Sequence, residues 1–151
     1  MEQHGVCNKM KKSNFKIPTI VKQLWREAVR TSKMAYAPYS KFKVGAAFEA
    51  KGRIFTGVNV ENASYGATLC AERVAVAKAV SEGFKTMKNL VVVTPSDKAM
   101  SPCGLCLQVL SEFASPELDI WMGTTKGILF HRKLKELLPS QFTKHELGSC
   151  P

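Results

Sequence analysis

The chain lacks any long apolar run. Its 151 residues contain no stretch of about 18 apolar residues, which is roughly the length that a membrane-spanning helix needs. The first residues, MEQHGVCNKMKK, are polar and basic, and the apolar segment of a secretory signal does not follow them. These two absences predict a cytoplasmic protein without a membrane partner.

Acidic residues are scarce as well. The chain has 12 Asp and Glu against 22 Lys and Arg, which gives a net charge of +10. A basic surface can attract nucleic acid, but here the lysines are scattered and no basic stretch is interleaved with aromatic residues. The pattern favours a solvated lysine-rich surface and argues against a nucleic-acid partner.

The chain also lacks an even number of cysteines. Its five cysteines argue against a disulfide framework, and its three histidines lack the spacing of metal ligands. Cys7 and Cys150 lie near the two ends and receive no role. Cys70, Cys103 and Cys106 remain as candidate functional residues.

What is present is an alternation of helical and strand-like segments in one domain. Residues 1–16 are predicted to form a flexible arm, and residues 17–151 a single catalytic domain. Apolar periodicity and turn residues predict helices from Thr19 to before Pro38, over 70–84 and from Cys103 to before Pro116. Strands are predicted over 43–50, 53–60, 89–95, 117–123 and 127–132, followed by a short helical turn. This order predicts an α/β fold, with one mixed five-stranded sheet between helical layers in a three-layer α/β/α arrangement.

Two short motifs, CAER (70–73) and SPCGLC (101–106), place the three cysteines at the starts of two helices. Each helix follows a strand, so both starts can lie at one edge of the sheet. Helix N-termini favour thiolates, and thiolates bind zinc. Three thiolates leave the fourth tetrahedral position open, which is typical of a catalytic rather than a structural zinc site.

Glu72 stands two residues after Cys70 and points away from it around the first helical turn. It can therefore lie beside the open position without binding the metal, as a general base does. Two other interpretations of the cysteines stay open at this point. CGLC alone fits a redox pair, and three buried core thiols are also possible, but neither accounts for Cys70 and Glu72 together.

Several longer stretches resemble one family. YAPYSKFKVGAAF (36–48), GVNVENASYG (57–66), CAERVA (70–75), SPCGLCLQVLSEF (101–113) and KELLPSQF (135–142) are similar to the small homotetrameric, zinc-dependent cytidine deaminases. The resemblance implies a cytidine deaminase-like fold with one Zn²⁺ per subunit. It also implies hydrolysis of cytidine and 2′-deoxycytidine to uridine and 2′-deoxyuridine plus ammonia, by zinc-activated water, in pyrimidine salvage.

The same resemblance assigns roles at the reaction centre. Cys70, Cys103 and Cys106 would hold zinc, and Glu72 would shuttle the proton. Arg73 would bond a cysteine sulfur. In the family a second arginine usually follows the last zinc cysteine, whereas this chain has Leu107.

Substrate contacts are implied in the same way. Asn59 and Glu61 would bond the ribose 3′-hydroxyl, and Phe42 would pack near the sugar and the base. The Ala71 N–H, with Glu72, would read the pyrimidine edge, and the Ser101 carbonyl would accept a hydrogen bond from the leaving amino group. Two further contacts would come from other subunits: Ala63 and Tyr65 at the 5′ end, and Phe142 stacked on the base.

Three other functions compete with a nucleoside deaminase. A polynucleotide editor is favoured by the net charge but not by the sugar-binding NVEN loop (59–62). A deaminase of a cytosine-containing antibiotic would share the zinc signature. A zinc-stabilised interaction protein without catalysis would have no need of Glu72.

Overall fold

The structure is a computed structural model that describes residues 16–143 and residue 148. The predicted arm lies outside the described residues, apart from Lys16. No helix among the described residues is long and apolar enough to cross a membrane. The elements are α1 (Thr19–Ser32), β1 (Gly45–Ala50), β2 (Arg53–Val58), α2 (Ala71–Ser81), β3 (Lys88–Thr94), α3 (Gly104–Phe113), β4 (Asp119–Thr124), β5 (Gly127–Lys133) and α4 (Leu134–Leu137).

Residues 16–143 contain the predicted mixed sheet of five strands, in the order β2-β1-β3-β4-β5. Only the β3–β4 pair is parallel within this described part of the chain. Lys51 and Gly52 close the β1–β2 hairpin with φ angles of 48° and 79°, as a tight hairpin turn of two residues favours. Because β1 is antiparallel to both β2 and β3, those two strands run in the same direction. They therefore end at the same edge of the sheet.

Two apolar layers cover the sheet, which confirms the three-layer prediction. On one face, Leu24 of α1 packs with strand residues such as Val91 and Val93. On the other, Ala75 of α2 and Leu110 of α3 belong to a larger cluster. The side chains of β3 alternate between the two layers, as a strand buried on both faces requires.

Two glycines allow helices to lie close against the sheet. A Cβ atom at Gly45 would lie 2.1 Å from the Ala28 carbonyl oxygen of α1. A Cβ atom at Gly57 would lie 2.2 Å from the Ala71 carbonyl oxygen, at the start of α2. Both distances are shorter than van der Waals contact allows, so each position requires a residue without a side chain. Gly57 thereby sets how closely the Cys70 end of α2 approaches β2.

The predicted boundaries were too long around the first loop. Helix α1 ends at Ser32 rather than near Pro38, and β1 begins at Gly45 rather than at residue 43. Strand β1 begins later because the Val44 N–H donates to Asn59 Oδ1 at 2.8 Å instead of joining the strand ladder. A one-turn 3₁₀ helix, Tyr65–Ala67, also lies between β2 and α2.

Candidate metal centre and active site

The predicted cysteines meet at the edge where β2 and β3 end. Cys70 immediately precedes α2, Cys103 immediately precedes α3, and Cys106 lies in the first turn of α3. The three sulfur atoms all lie within 4.8 Å of one another. Cys70 Sγ and Cys103 Sγ are 3.9 Å apart. The parallel direction of two strands therefore brings residues 33 positions apart in sequence to one point.

The geometry of the sulfur atoms fits zinc. Tetrahedral zinc with Zn–S bonds of about 2.3 Å places neighbouring sulfurs about 3.8 Å apart, which is close to the Cys70–Cys103 distance. All three are free thiols, with Cys106 buried and Cys103 exposed. Among the described residues, this group offers three ligand atoms and no fourth His, Cys, Asp or Glu. Cys70, Cys103 and Cys106 could therefore hold zinc with one position open to the solvent side.

The thiols are arranged so that one of them readily becomes a thiolate. A hydrogen bond from Cys106, with further ones from Arg73 and Cys103, lowers the pKa of Cys70 to about 5. The same hydrogen bond to Cys70 raises the pKa of Cys106, so the proton stays on Cys106. The Arg73 guanidinium also donates to the Thr68 carbonyl at 2.7 Å, which fixes it beside the cysteines. A thiolate formed without metal is already a ligand for a soft cation.

Glu72 lies in the first turn of α2 with only 4% of its surface exposed. Burial raises the pKa of its carboxyl group to about 7. A carboxyl group that titrates near neutral pH can both take up and release a proton under physiological conditions. Glu72 lines the same cavity as Cys70 and Cys103, so its proton would be exchanged at the metal centre.

The cavity at this centre has a volume of about 210 Å³ and is mostly apolar. It brings together several of the residues that the sequence predicts to contact the nucleoside. Four of these line it in addition to Glu72: Phe42, Asn59, Ala71 and Ser101. Thr94 and Met100 also line it and were not predicted. The position of Thr94 as the last residue of β3 was the available signal, because strand ends border sites of this kind.

A second cavity, of about 370 Å³, adjoins the first. Thr68 lines both cavities, whereas Glu61 lines only the second. The Glu61 carboxylate accepts hydrogen bonds from the backbone N–H groups of Tyr39 at 3.0 Å and Ser40 at 3.2 Å. Tyr65 of the same chain lines this cavity too and packs edge-on against Tyr39. The cavity beside the three cysteines thus adjoins a second cavity that contains the carboxylate of Glu61.

Two predicted contacts line neither of these cavities. Ala63 is exposed on the loop before the 3₁₀ helix. Phe142 is 57% exposed, and its carbonyl oxygen accepts a hydrogen bond from Gln108 Nε2 at 2.7 Å. Their roles toward a neighbouring subunit stay predictions.

Leu107 stands where the family usually has an arginine. It is 6% exposed and packs within the same apolar cluster as Ala75 and Leu110, so this position presents no charge to the cysteines.

Comparison with known proteins agrees with this geometry. Residues 18–122 match the family described as the cytidine and deoxycytidylate deaminase zinc-binding region. The chain belongs to this deaminase family. The matched residues include Cys70, Cys103 and Cys106. Because the family is defined by its zinc-binding region, zinc is the metal for these three cysteines.

Individual members of the deaminase family are similar over most of their length. A cytidine deaminase from Sporosarcina psychrophila is 42% identical over 129 residues, which cover 85% of this chain and 95% of that protein. A cytidine deaminase from Halalkalibacterium halodurans is 40% identical over 126 residues, or 83% and 96% of the two chains. The crystal structure of cytidine deaminase from Burkholderia pseudomallei superposes with a TM-score of 0.77 at 39% identity, covering 80% of this chain and 98% of that one.

Proposed function

We propose that the chain is a zinc-dependent deaminase that hydrolyses cytidine and 2′-deoxycytidine to the corresponding uridines and ammonia. The observation that carries this proposal is the convergence of three cysteine sulfurs within 4.8 Å beside the buried carboxyl group of Glu72. The relatives named cytidine deaminase support the choice of substrate. The reaction completes a salvage step that returns a pyrimidine nucleoside to the uridine pool.

The roles at the reaction centre follow from the arrangement of this chain's residues. Cys70, Cys103 and Cys106 hold zinc, which when bound supplies the positive charge that makes a water molecule nucleophilic near neutral pH. Glu72 takes a proton from that water as its oxygen attacks C4 of the cytosine ring. The same carboxyl group delivers that proton to N3, then takes the remaining proton from the hydroxyl group now on C4 and passes it to the amino group, which leaves as ammonia. A pKa of about 7 suits both directions of transfer.

The two adjoining cavities suit the two halves of a nucleoside. The apolar cavity accommodates a planar ring, which Phe42 flanks and the start of α2 contacts through the Ala71 N–H. The Ser101 carbonyl accepts a hydrogen bond from the amino group that leaves. On the other side of Thr68, Glu61 accepts a hydrogen bond from the sugar 3′-hydroxyl, and Asn59, which lines the apolar cavity, bonds the same hydroxyl. A 3′-phosphate would meet the Glu61 carboxylate, which argues against a polynucleotide substrate.

We further propose a homotetramer in which subunits complete each other's sites. The support is the exposure of predicted contacts in the single chain: Tyr65 is 76% exposed and Phe142 is 57% exposed. Ala63 and Tyr65 of one neighbour then reach the 5′ end of the nucleoside, and Phe142 of another stacks on the base. The three free thiols suit a reducing compartment, so the proposed location is the cytoplasm.

The decisive experiment is conversion of cytidine by the purified, zinc-loaded protein, with Glu72→Ala measured beside it. We expect the parent to release uridine, and Glu72→Ala to retain zinc but lose turnover by about three orders of magnitude or more. Zinc content is measured on both samples, so that loss of metal is separated from loss of the proton shuttle. Equal activity in the variant would contradict the role of Glu72, and no uridine from zinc-loaded parent would contradict the substrate.

A further inference from the structure

The loop that joins α1 to β1 carries Phe42 into the apolar cavity, and its backbone is held by a side chain from beyond β2. The Asn59 amide makes two hydrogen bonds to the backbone of this loop. Oδ1 accepts from the Val44 N–H at 2.8 Å, and Nδ2 donates to the Phe42 carbonyl at 2.8 Å. Asn59 is itself only 8% exposed. Both polar atoms of this amide therefore bond the loop, and one N–H and one lone pair of Oδ1 remain.

The same loop is held at its other end by Glu61. Besides accepting the N–H groups of Tyr39 and Ser40 on Oε2, the carboxylate accepts the Ser40 hydroxyl on Oε1. The Ser40 oxygen in turn accepts the Phe42 N–H at 3.0 Å. The ionised Glu61 carboxylate can only accept hydrogen bonds, so the single Ser40 hydroxyl proton lies in the bond to Glu61. The Ser40 oxygen is then the acceptor for the Phe42 N–H.

Ser40 is thus the link between two predicted substrate contacts. Its hydroxyl bonds the Glu61 carboxylate, which lines the second cavity, and also the backbone N–H of Phe42, which lines the apolar cavity. Lys41, which stands between Ser40 and Phe42, has a φ of 58°, a left-handed conformation that is unfavourable for a residue with a side chain. The bond that spans it, from the Phe42 N–H to the Ser40 oxygen, helps to hold this conformation.

The bonds to Glu61 leave one acceptor direction unfilled. An ionised carboxylate offers about four lone-pair sites, and the two N–H groups and the Ser40 hydroxyl occupy three of them. Two of these bonds meet at Oε2, so the remaining site is on Oε1, the oxygen that Ser40 orients. The hydrogen bond from Ser40 also lowers the pKa of Glu61, which keeps the group an acceptor.

We propose that Ser40 is a positioning residue for sugar recognition: its hydroxyl sets the direction in which Glu61 Oε1 accepts a nucleoside 3′-hydroxyl, and ties that oxygen to Phe42. The inference rests on the proposed function, since it concerns the same substrate. Ser40 belongs to the sequence stretch 36–48 but is absent from the predicted site residues. It makes selection for a free sugar hydroxyl depend on a side chain that does not itself touch the reacting ring.

The test compares two substrates and two variants. Ser40→Ala is expected to raise KM for cytidine about tenfold, the loss of one hydrogen bond to a charged group, with kcat within about twofold. With 3′-deoxycytidine, which lacks the hydroxyl, the same variant is expected to change KM by less than about twofold. Ser40→Thr, which keeps a hydroxyl, is expected to restore cytidine KM to within about threefold of the parent. If Ser40→Ala does not fold, Ser40→Cys, which has nearly the same shape but only a weakly donating thiol, gives the same comparison.

Equal losses on the two substrates would overturn the proposal, because they would show that Ser40 only supports the loop. So would a Ser40→Thr variant as poor as Ser40→Ala. A binding measurement by calorimetry, with uridine and 3′-deoxyuridine on the zinc-loaded protein, gives the same comparison without turnover. A parent that neither deaminates cytidine nor binds uridine contradicts the proposed function and this role with it. A parent that is active while Ser40→Ala matches it contradicts only the role of Ser40.

Discussion

The two faces of the sheet differ in chemistry although the same strands build both. The α1 face is an apolar layer, in which Val21, Leu24 and Ala28 pack on strand residues such as Val91. The opposite face has a larger apolar cluster and also, at the start of α2, the buried carboxyl group of Glu72. Among the described residues, Glu72 is the one carboxyl group buried to this extent.

The difference arises from where each helix begins relative to the strands. Helix α1 precedes β1, whereas α2 and α3 begin after β2 and β3, two strands that run in the same direction. Two helix N-termini therefore meet at one sheet edge, and their unpaired N–H groups favour negative charge. The comparison shows that chain direction, rather than the composition of the core, decides which face can carry a metal centre.

The largest effect on zinc binding and turnover is expected from removing one cysteine sulfur on the face that α2 and α3 cover, which we call the catalytic face. Cys103→Ala should release zinc and reduce turnover to the background, because two remaining thiolates cannot hold the ion in a tetrahedral site with an open position. Zinc content after dialysis and cytidine turnover are the measurements. Leu105→Ala is the matched control: this residue lies between Cys103 and Cys106 and is 67% exposed. A Cys103→Ala protein that keeps stoichiometric zinc would contradict the assigned ligand set.

A smaller and more selective effect is expected at the two glycines, one on each face. Gly45→Ala and Gly57→Ala both place a Cβ atom within 2.2 Å of a helix carbonyl oxygen, so each should destabilise the protein by about 1–3 kcal/mol. Gly57→Ala should in addition lower kcat about 10- to 100-fold, because it displaces the end of α2 that carries Cys70 and Glu72. Gly45→Ala should keep the parent's kcat in the folded fraction.

Urea unfolding and kcat, measured on both variants below their unfolding transitions, separate the two effects. Similar kcat values for the two variants would mean that closeness of α2 to β2 does not set the geometry of the site. A large loss of kcat in Gly45→Ala would mean that the α1 face is coupled to the chemistry, and the contrast between the faces would then fail.

The sequence predicts some of these features far better than others, for physical reasons. The element order, the sheet class and the cysteine cluster depend on local patterns: helical periodicity, strand-like apolar runs and short motifs at helix starts. The boundaries of β1 and the loop before it depend on Asn59 and Glu61, whose side chains replace ladder partners of the backbone. Such side-chain bonds over 15 to 22 residues leave no periodic trace in the sequence, and for the same reason the link through Ser40 was not predicted.

The smallest effect concerns the pH dependence of stability in the metal-free protein. Burial raises the pKa of Glu72 to about 7 from its ordinary value of 4.5. The folded state therefore holds this proton more tightly than the unfolded state does. The resulting stabilisation is fully present below about pH 4.5 and is lost as the pH rises through about 7.

Between pH 5.5 and pH 8, the parent should therefore lose about 2 kcal/mol more of its free energy of unfolding than Glu72→Gln, which has no proton to release. The measurement is urea unfolding of both proteins after zinc is removed with a chelator. Glu112→Gln, an exposed carboxyl group on α3, is the matched control and should follow the parent. Because the α1 face buries no such group within the described residues, this pH dependence belongs to the catalytic face. Parallel pH profiles for the parent and Glu72→Gln would show instead that the metal-free folded protein does not raise the pKa of Glu72.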